Sequence, residues 1–192
     1  MEIGKIVIIS APSGCGKSTI IDQIINRPEL RLSFSVSATT RSPRPGEQHG
    51  VNYYFLEPKD FQAAIARGEL VEWEEVYPGR YYGTLCSEVE RIRTNGKNVI
   101  LDIDVKGGVN VKRMYGNDAL SIFIEPPSIE TLRQRLTDRG TESDEAIAQR
   151  VARAEMELSY APYYDQRIVN DHLETAVEQV SKAIDDFVNN IT

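Results

Sequence analysis

The sequence has little cysteine and no long apolar run. Its 192 residues include two cysteines, Cys15 and Cys86. These are too few for a disulfide framework or a four-ligand zinc site, so we expect a cytoplasmic, reducing location. No run of about 18 apolar residues is present, which argues against a membrane span. The first residues lack the basic region and small-residue cleavage site of a signal peptide, so we expect no leader.

Positive charge is also not in excess. The chain carries 22 Lys+Arg against 29 Asp+Glu, a net charge of −7. It therefore lacks the basic footprint of a nucleic-acid-binding domain, and we expect no DNA or RNA partner. With 41% hydrophobic residues, a chain of this length can bury a core without disulfides or structural metals. The length predicts one domain.

Strand-like and helix-like segments alternate along most of the chain, which predicts an α/β fold with a parallel sheet flanked by helices. The strand candidates are 5–10, 98–104, 119–124 and 167–170, and the helix candidates are 18–27, 87–94, 105–114, 129–138 and 173–189. Two stretches break this alternation. Residues 33–84 contain short strand candidates at 33–37 and 51–56 and a helix candidate at 59–67, which predicts a small α+β insertion. Residues 126–157 are charged, arginine-rich and helix-like, which predicts a helical hairpin that projects from the core as a lid.

The strongest local motif is APSGCGKS, residues 11–18, between a strand candidate and a helix candidate. This is the context of a P-loop, whose backbone N–H groups wrap a polyphosphate at a helix N-terminus. Lys17 would place an ammonium on the β- and γ-phosphates, and Ser18 would offer a hydroxyl to Mg²⁺. Ala11 replaces the first glycine of the usual pattern, and this position needs compactness more than a positive φ. The alternative is an ordinary glycine-rich turn with a surface lysine.

Two carboxylates follow the strand candidate at 98–104. Asp102 is placed to hold Mg²⁺ through water. The alternative for a lone aspartate at a strand end is a helix cap, and Asp104 also suits that role. Cys15 lies inside the P-loop, near a helix N-terminus that can lower the pKa of a thiol. We therefore consider a reactive Cys15 that ATP would protect, against the alternative of a small residue filling the loop.

A P-loop alone is compatible with a GTPase, an ATPase motor or a nucleotide kinase. The Asn-Lys-x-Asp motif that reads guanine in GTPases is absent. The insertion and the arginine-rich segment favour a kinase with a second small substrate.

The order and spacing of nine segments across the chain resemble the guanylate kinase family. These segments are SAPSGCGKST (10–19), SVSATTRSPRPGE (35–47), NYYF (52–55), VEW (71–73), YYGT (81–84), ILDID (100–104), IEPPS (124–128), RLTDRGTES (135–143) and IVND (168–171). The resemblance implies a Mg²⁺-dependent transfer of the γ-phosphoryl of ATP to GMP, giving ADP and GDP in purine nucleotide metabolism. It also implies one domain over 1–192, with a P-loop NTPase-type core at about 1–32, 85–125 and 158–192, a GMP-binding insertion at about 33–84 and a lid at about 126–157.

The resemblance implies a GMP site, and the residue types suit that ligand. Glu72 and Asp104 are acceptors for the adjacent N1 and N2 donors of guanine, which adenine lacks, so AMP would leave buried carboxylates unpaired. Arg41 and Arg44 suit a dianionic phosphate. The full set is Ser37, Arg41, Arg44, Tyr53, Glu72, Tyr82, Thr84 and Asp104, in which Tyr82 is preferred to Tyr81.

The resemblance also implies an ATP site. Its contacts run along the P-loop at Ala11, Pro12, Ser13, Gly14, Cys15, Gly16, Lys17, Ser18 and Thr19, with Asn170 on the adenine side. Arg135 and Arg139 would meet the ATP phosphates, and Arg150 the transferring group. Together with Lys17 and Arg41, these three arginines would neutralise charge in the transition state. The alternative for the lid arginines is a set of surface salt bridges.

Two other functions remain as alternatives. A non-catalytic guanylate-kinase-like interaction domain would keep the fold but would usually lose the phosphate cradle and the ATP-side arginines, which this chain retains. A kinase for another nucleoside monophosphate would not need Glu72 and Asp104. The sequence leaves open whether dGMP is accepted and whether the protein is a monomer or a homo-oligomer.

Overall fold

A computed structural model describes residues 3–138, 140 and 143–189. The strands are β1 (Ile6–Ser10), β2 (Leu32–Phe34), β3 (Ala38–Thr39), β4 (Tyr54–Phe55), β5 (Leu70–Tyr77), β6 (Arg80–Leu85), β7 (Asn98–Asp102), β8 (Ala119–Glu125) and β9 (Gln166–Val169). The helices are α1 (Lys17–Ile24), α2 (Pro58–Ala66), α3 (Cys86–Thr94), α4 (Val105–Tyr115), α5 (Ile129–Asp138), α6 (Asp144–Leu158) and α7 (Leu173–Val188).

Five strands form a parallel sheet in the order β2-β7-β1-β8-β9. Ile6 lies opposite Ala119 where β1 pairs with β8, and β8 pairs in parallel with β9. All five residues of β1 are buried. Successive side chains of a strand point to opposite faces, so both faces of this sheet are covered. The parallel α/β fold expected from the sequence is confirmed.

Internal contacts divide the chain into two compact units. The first, here called the insertion unit, consists of residues 3–4 and Ser33–Val99. The second, here called the P-loop unit, consists of Lys5–Leu32 and the described residues from Ile100 onward. The predicted end of the insertion at residue 84 falls near the end of β6, whereas the insertion unit also includes α3.

The insertion unit contains a second sheet, in the order β4-β3-β6-β5. Strands β5 and β6 form an antiparallel hairpin that turns at Gly79, where φ is +75°. A small core of Ala38, Phe61, Ala64 and Leu70 lies in this unit. The sequence predicted strands at 33–37 and 51–56 but did not identify this hairpin as strands. The reason is that β5 is mostly exposed, since only its Leu70 and Val71 are buried, so its sequence lacks a clear apolar pattern.

The P-loop unit buries apolar side chains of several helices in one cluster with Val7 and Ile9 of β1. Helices α1 and α7 contribute to it, and so do Leu132 and Leu136 of α5 and three residues of α6. The arginine-rich segment is therefore two helices, as predicted, whose apolar side chains pack into the core of their own unit. Its action as a lid stays a prediction. Within the described ranges, no helix combines the length and the apolar character needed to cross a bilayer.

Candidate active site

The P-loop connects β1 to α1 and contains two glycines with left-handed backbones. Gly14 has φ +94° and Gly16 has φ +84°. Only glycine adopts such angles without steric cost, so the motif's glycines allow the chain to curl before α1 begins at Lys17. The loop borders a cavity of about 570 Å³, here called the P-loop cavity. Its other walls are formed by residues 102–104 after β7 and by Arg150, Arg153 and Glu157 of α6.

Lys17 and Asp102 form an ion pair in this cavity. Their side chains are 22% and 34% exposed, so both remain accessible from the cavity. Asp104 caps α4, because its Oδ1 accepts hydrogen bonds from the backbone N–H groups of Lys106 (2.7 Å) and Gly107 (3.0 Å). The cap considered from the sequence is thus present at Asp104, while Asp102 lies beside the P-loop lysine.

The lid arginines contact the P-loop unit in different ways. Arg150 Nη1 donates to Ser13 Oγ at 3.2 Å. Arg135 donates through Nη1 to the backbone oxygen of Asn170 (2.9 Å) and through Nη2 to that of Asp171 (3.2 Å). Arg139 lies outside the described residues. Arg150 thus reaches the P-loop itself, and Arg135 reaches the carbonyls of the two residues after β9.

The side chain of Asn170 is hydrogen-bonded to the P-loop. Its Nδ2 donates to the backbone oxygen of Cys15 at 2.8 Å, and the side chain is buried. A Cβ on Gly16 would come within 2.5 Å of the same Nδ2, so glycine is required there for close approach as well as for its φ. The adenine contact expected for Asn170 stays a prediction.

Cys15 differs from the reactive thiol considered from the sequence. It is 1% exposed, and burial raises the pKa of its thiol to about 12. The thiolate is the nucleophilic form, so a higher pKa makes the thiol less reactive. The idea of a low pKa at the helix N-terminus was wrong, and Cys15 fills space behind the loop.

Arg41 of the insertion unit holds a carboxylate through its guanidinium fork. Nη1 and Nη2 donate to the two carboxylate oxygens of Glu47 at 2.9 and 2.8 Å, and Nη1 also donates to the backbone oxygen of Ser42. The guanidinium lies over the rings of Tyr53 (5.3 Å) and Phe55 (5.7 Å). These hydrogen bonds to Glu47 raise the pKa of Arg41, as does, to a lesser extent, Tyr82.

Several other predicted GMP residues lie in the same unit. The rings of Tyr53 and Tyr82 are 6.1 Å apart, whereas Tyr81 stacks on Phe61 in the small core. Thr84 Oγ1 donates to Glu72 Oε1 at 2.7 Å across the β5–β6 ladder. The backbone of Ser37 accepts a hydrogen bond from Tyr54. Arg44 donates its backbone N–H to Glu47.

Sequence reasoning missed three residues. Glu47 holds Arg41, although its place three residues after Arg44 in PRPGE gave a signal. Glu88 of α3 is buried and accepts from Arg91, Tyr54 Oη (3.0 Å) and the backbone N–H of Val36 (3.3 Å). Arg153 lines the P-loop cavity and donates to Glu157 at 2.8 Å. Its spacing of three from Arg150 placed it on the same side of α6.

A parallel sheet, a strand–loop–helix phosphate cradle and an aspartate paired with the cradle's lysine define a P-loop nucleotide-binding protein. The family model described as guanylate kinase matches residues 3–187. The guanylate kinase of Porphyromonas gingivalis is 57% identical over 184 residues, which cover 96% of this chain and 98% of that one. That of Bacteroides thetaiotaomicron is 53% identical, covering 97% and 91%. The crystal structure of guanylate kinase from Anaplasma phagocytophilum matches with a TM-score of 0.70 at 31% identity, covering 96% of this chain and 86% of that one. The chain belongs to the guanylate kinase family.

Proposed function

We propose that this protein transfers the γ-phosphoryl group of ATP to the phosphate of GMP, giving ADP and GDP. The observation that carries the proposal is the forked hydrogen bonding of Arg41 to a carboxylate beside Tyr53. A carboxylate and a phosphate present similar paired oxygens to a guanidinium, so this is an anion receptor in addition to the P-loop. Many classes of protein have a P-loop, but a second anion receptor suits an acceptor that is itself a phosphate.

The ATP phosphates would bind in the P-loop cavity. Backbone N–H groups at the start of α1 and the ammonium of Lys17 supply positive charge to the β- and γ-phosphates. Arg150 donates to Ser13 of the loop and Arg135 lies on the carbonyls beside Asn170, which brings two further cations to this region. Arg139 would also meet the ATP phosphates. Asn170, next to Arg135, is assigned the adenine side.

Guanine would be recognised by carboxylate and hydroxyl groups. Glu72 and Asp104 would accept from the N1 and N2 donors, and Ser37 and Thr84 would meet polar atoms such as O6. Thr84 Oγ1 donates to Glu72 Oε1, so the hydroxyl and the carboxylate assigned to the base lie side by side. Arg41, Arg44, Tyr53 and Tyr82 would bind the phosphate. The same acceptors suit dGMP, because none of them is assigned to the 2′-hydroxyl.

The chemistry requires no general base from the protein. The attacking atom is a phosphate oxygen of GMP, which is already ionised near neutral pH. Catalysis therefore consists of holding the two phosphates in line and neutralising the charge on the transferring group. Lys17, Arg41, Arg135, Arg139 and Arg150 are the residues we assign to that task.

Mg²⁺ suits the residues at the edge of the P-loop cavity. Ser18 and Asp102 both line it, and a hydroxyl and a carboxylate are oxygen donors of the kind Mg²⁺ prefers. Ser18 would hold the ion directly and Asp102 through water. An ion held by these residues would neutralise part of the charge on the phosphates of ATP. The ion pair with Lys17 turns the carboxylate of Asp102 toward the loop.

We assign these roles to three parts of the chain: a core at about 1–32, 85–125 and 158–192, a GMP-binding segment at about 33–84 and a lid at about 126–157. The non-catalytic interaction domain is the less favoured alternative. Such a domain would use the GMP site to bind peptides and would not need a P-loop lysine. This chain retains Lys17, which pairs with Asp102 beside the P-loop cavity.

A coupled assay of ADP release tests the proposal. Mg-ATP would be supplied with GMP, dGMP, AMP, UMP or CMP at equal concentration. We expect turnover with the guanine nucleotides and little with the others, because only guanine has the adjacent donor pair. Turnover with another base instead would overturn the roles of Glu72 and Asp104. Binding of GMP without turnover, in folded protein, would favour the interaction domain.

A further inference from the structure

We propose that Ser10 and Tyr164 are positioning residues whose buried hydroxyls hold the turn that follows β7. This turn, residues 102–105, carries Asp102 toward the P-loop cavity and contains Asp104, the residue assigned to guanine. The inference rests on the proposed function, because it concerns how these two carboxylates are kept in place. Neither hydroxyl is assigned a contact with a substrate.

The first hydroxyl reaches the turn from β1. Ser10 is the last residue of β1 and is fully buried. Its Oγ donates to the backbone oxygen of Ile103 at 2.9 Å and lies 3.3 Å from that of Asp104. Ser10 is also the residue immediately before the P-loop. One side chain thus connects the strand that leads into the phosphate cradle with the peptide between the two aspartates.

The second hydroxyl comes from the segment before β9. Tyr164 is 8% exposed, and its Oη donates to the backbone oxygen of Val105 at 3.0 Å. Its ring packs edge-on against Phe123 of β8 at 5.1 Å, so the aromatic ring is fixed independently of the hydroxyl. Burial raises the pKa of Tyr164, so the group stays protonated and remains a donor.

Together the two hydroxyls approach three consecutive backbone oxygens, those of residues 103, 104 and 105. Buried carbonyls need hydrogen-bond donors. The oxygen of Asp104 also accepts from the backbone N–H of Gly108 in α4 at 2.9 Å. The two hydroxyls therefore add contacts from two further elements to the start of this helix. The backbone on either side of Asp104 is therefore held by Ser10 of β1 and by Tyr164. The carboxylate of Asp104 caps α4 through Oδ1.

Gly108 shows how tightly this arrangement is packed. A Cβ at this position would lie 2.1 Å from Tyr164 Oη and 2.8 Å from Ser10 Oγ. Gly108 is in the first turns of α4, where its φ is not in the left-handed region. The reason for glycine here is therefore space for the two hydroxyls, and not backbone freedom.

The test compares Tyr164→Phe with Tyr163→Phe. The first variant removes the hydroxyl and keeps the ring packed on Phe123. The second removes a hydroxyl from an exposed neighbour, for which no hydrogen bond is present within the described ranges. We expect Tyr164→Phe to lower kcat/KM for GMP about 5- to 20-fold, the scale of one buried hydrogen bond and the misplacement it allows. We also expect it to need more Mg²⁺ for half-maximal rate and to weaken GMP binding in calorimetry. ADP binding without Mg²⁺ should stay within about twofold of the wild type, since the P-loop itself is unchanged.

A double-mutant cycle adds a second test. Gly108→Ala should damage kcat/KM for GMP by pushing on Tyr164 Oη. In Gly108→Ala/Tyr164→Phe that oxygen is gone, so the combined loss should be smaller than the product of the single losses. Strictly multiplicative losses would overturn the proposal. A Tyr164→Phe protein that matches Tyr163→Phe in every parameter would also overturn it. The same holds for a Tyr164→Phe protein that loses thermal stability and binds GMP and ADP equally less tightly. A wild-type protein that neither turns over nor binds GMP would instead defeat the proposed function.

Discussion

Individual cations around the proposed phosphate sites already have anionic or carbonyl partners. Lys17 pairs with Asp102, Arg41 with Glu47, and Arg135 with two backbone oxygens. A side chain held in this way loses less rotamer freedom when a phosphate arrives than a free one would. The partner also keeps the cation in place. When a phosphate binds, the cation must exchange some of its hydrogen bonds to the partner for bonds to the phosphate, or share them between the two.

Glu47→Gln tests whether Glu47 positions Arg41 or competes with GMP for it. The guanidinium has five N–H donors, and three of them bond to Glu47 and Ser42, on the side of the two terminal nitrogens. The N–H of Nε and the second N–H of Nη2 are not bonded to Glu47 or Ser42. We therefore expect Glu47 to position Arg41 for a phosphate and not to compete with it. We expect KM for GMP to rise about tenfold, with a smaller change in KM for ATP.

Glu69→Gln is the matched control, since Glu69 also pairs with an arginine but both side chains are about half exposed. A fall in KM for GMP in Glu47→Gln would mean that Glu47 competes with the phosphate.

Cys15 should resist alkylation in the folded protein. Burial raises the pKa of its thiol to about 12, so very little thiolate, the form that reacts, is present at pH 8. We expect iodoacetamide to modify Cys86, which is partly exposed, well before Cys15. Both should react in denaturant. Peptide mass spectrometry on native and denatured samples measures this. Equal native rates at the two cysteines would contradict the burial of Cys15.

At the scale of elements, burial decides what the sequence reveals. Strands β1 and β8 are predicted to within a residue or two, because their runs are covered on both faces and are continuously apolar. The β5–β6 hairpin is missed, since most of β5 faces water and its alternation is weak. Strand β3 has two residues and lies just beyond the strand candidate at 33–37, whereas β4, equally short, lies within the candidate at 51–56. The P-loop, in contrast, is identified from sequence without any burial pattern, because phosphate binding requires particular residues in a fixed order.

Side-chain networks are less accessible from sequence than motifs. Glu88 lies on α3 among charged residues, which is the pattern of a solvated helix face. Only the folded structure shows that it turns inward to Tyr54 and to the backbone at Val36, the neighbour of Ser37. Likewise, no pattern in the sequence connects Ser10 with Tyr164, 154 positions later.

Glu88→Gln should weaken the insertion unit in a pH-dependent way. Hydrogen bonds from Arg91, and then from Tyr54 and Val36, hold the pKa of Glu88 below its ordinary value of 4.5. A lowered folded-state pKa contributes stability that is complete above the unfolded pKa and disappears as pH falls through the folded value. We expect the variant to lose about 1–3 kcal/mol of unfolding free energy at pH 7. The difference should shrink below about pH 4.5.

Urea titrations at pH 7 and at pH 3.5 measure this difference. A loss that is the same at both pH values would show that the carboxylate's charge is not the cause.

For the whole molecule, the residues proposed to bind the two substrates belong to different compact units, Lys17 to the P-loop unit and Arg41 and Glu72 to the insertion unit. Ligands that bind the folded state stabilise it by mass action, by about 2.7 kcal/mol at 100 times Kd. We expect Lys17→Ala to lose the thermal stabilisation by Mg-ADP and to keep that by GMP, with kcat reduced at least about 10²-fold. Glu72→Gln should show the reverse pattern of stabilisation.

Thermal unfolding of both variants with each ligand provides the measurement. Lys182→Ala is a control, because it removes an exposed lysine that pairs with Asp186 on α7. Loss of both stabilisations in either variant would mean that the substituted residue supports the fold and not one ligand.

The bond from Asn170 to the carbonyl of Cys15 has a consequence for the orientation of a single peptide plane. In a trans peptide the carbonyl and the next N–H point in opposite directions, so holding the oxygen of Cys15 also directs the N–H of Gly16 away from Asn170. Glycine offers little resistance to rotation of the plane that precedes it. The amide of Asn170 therefore opposes a flip of the peptide between Cys15 and Gly16. The N–H of Gly16 keeps its direction in the loop before any nucleotide binds.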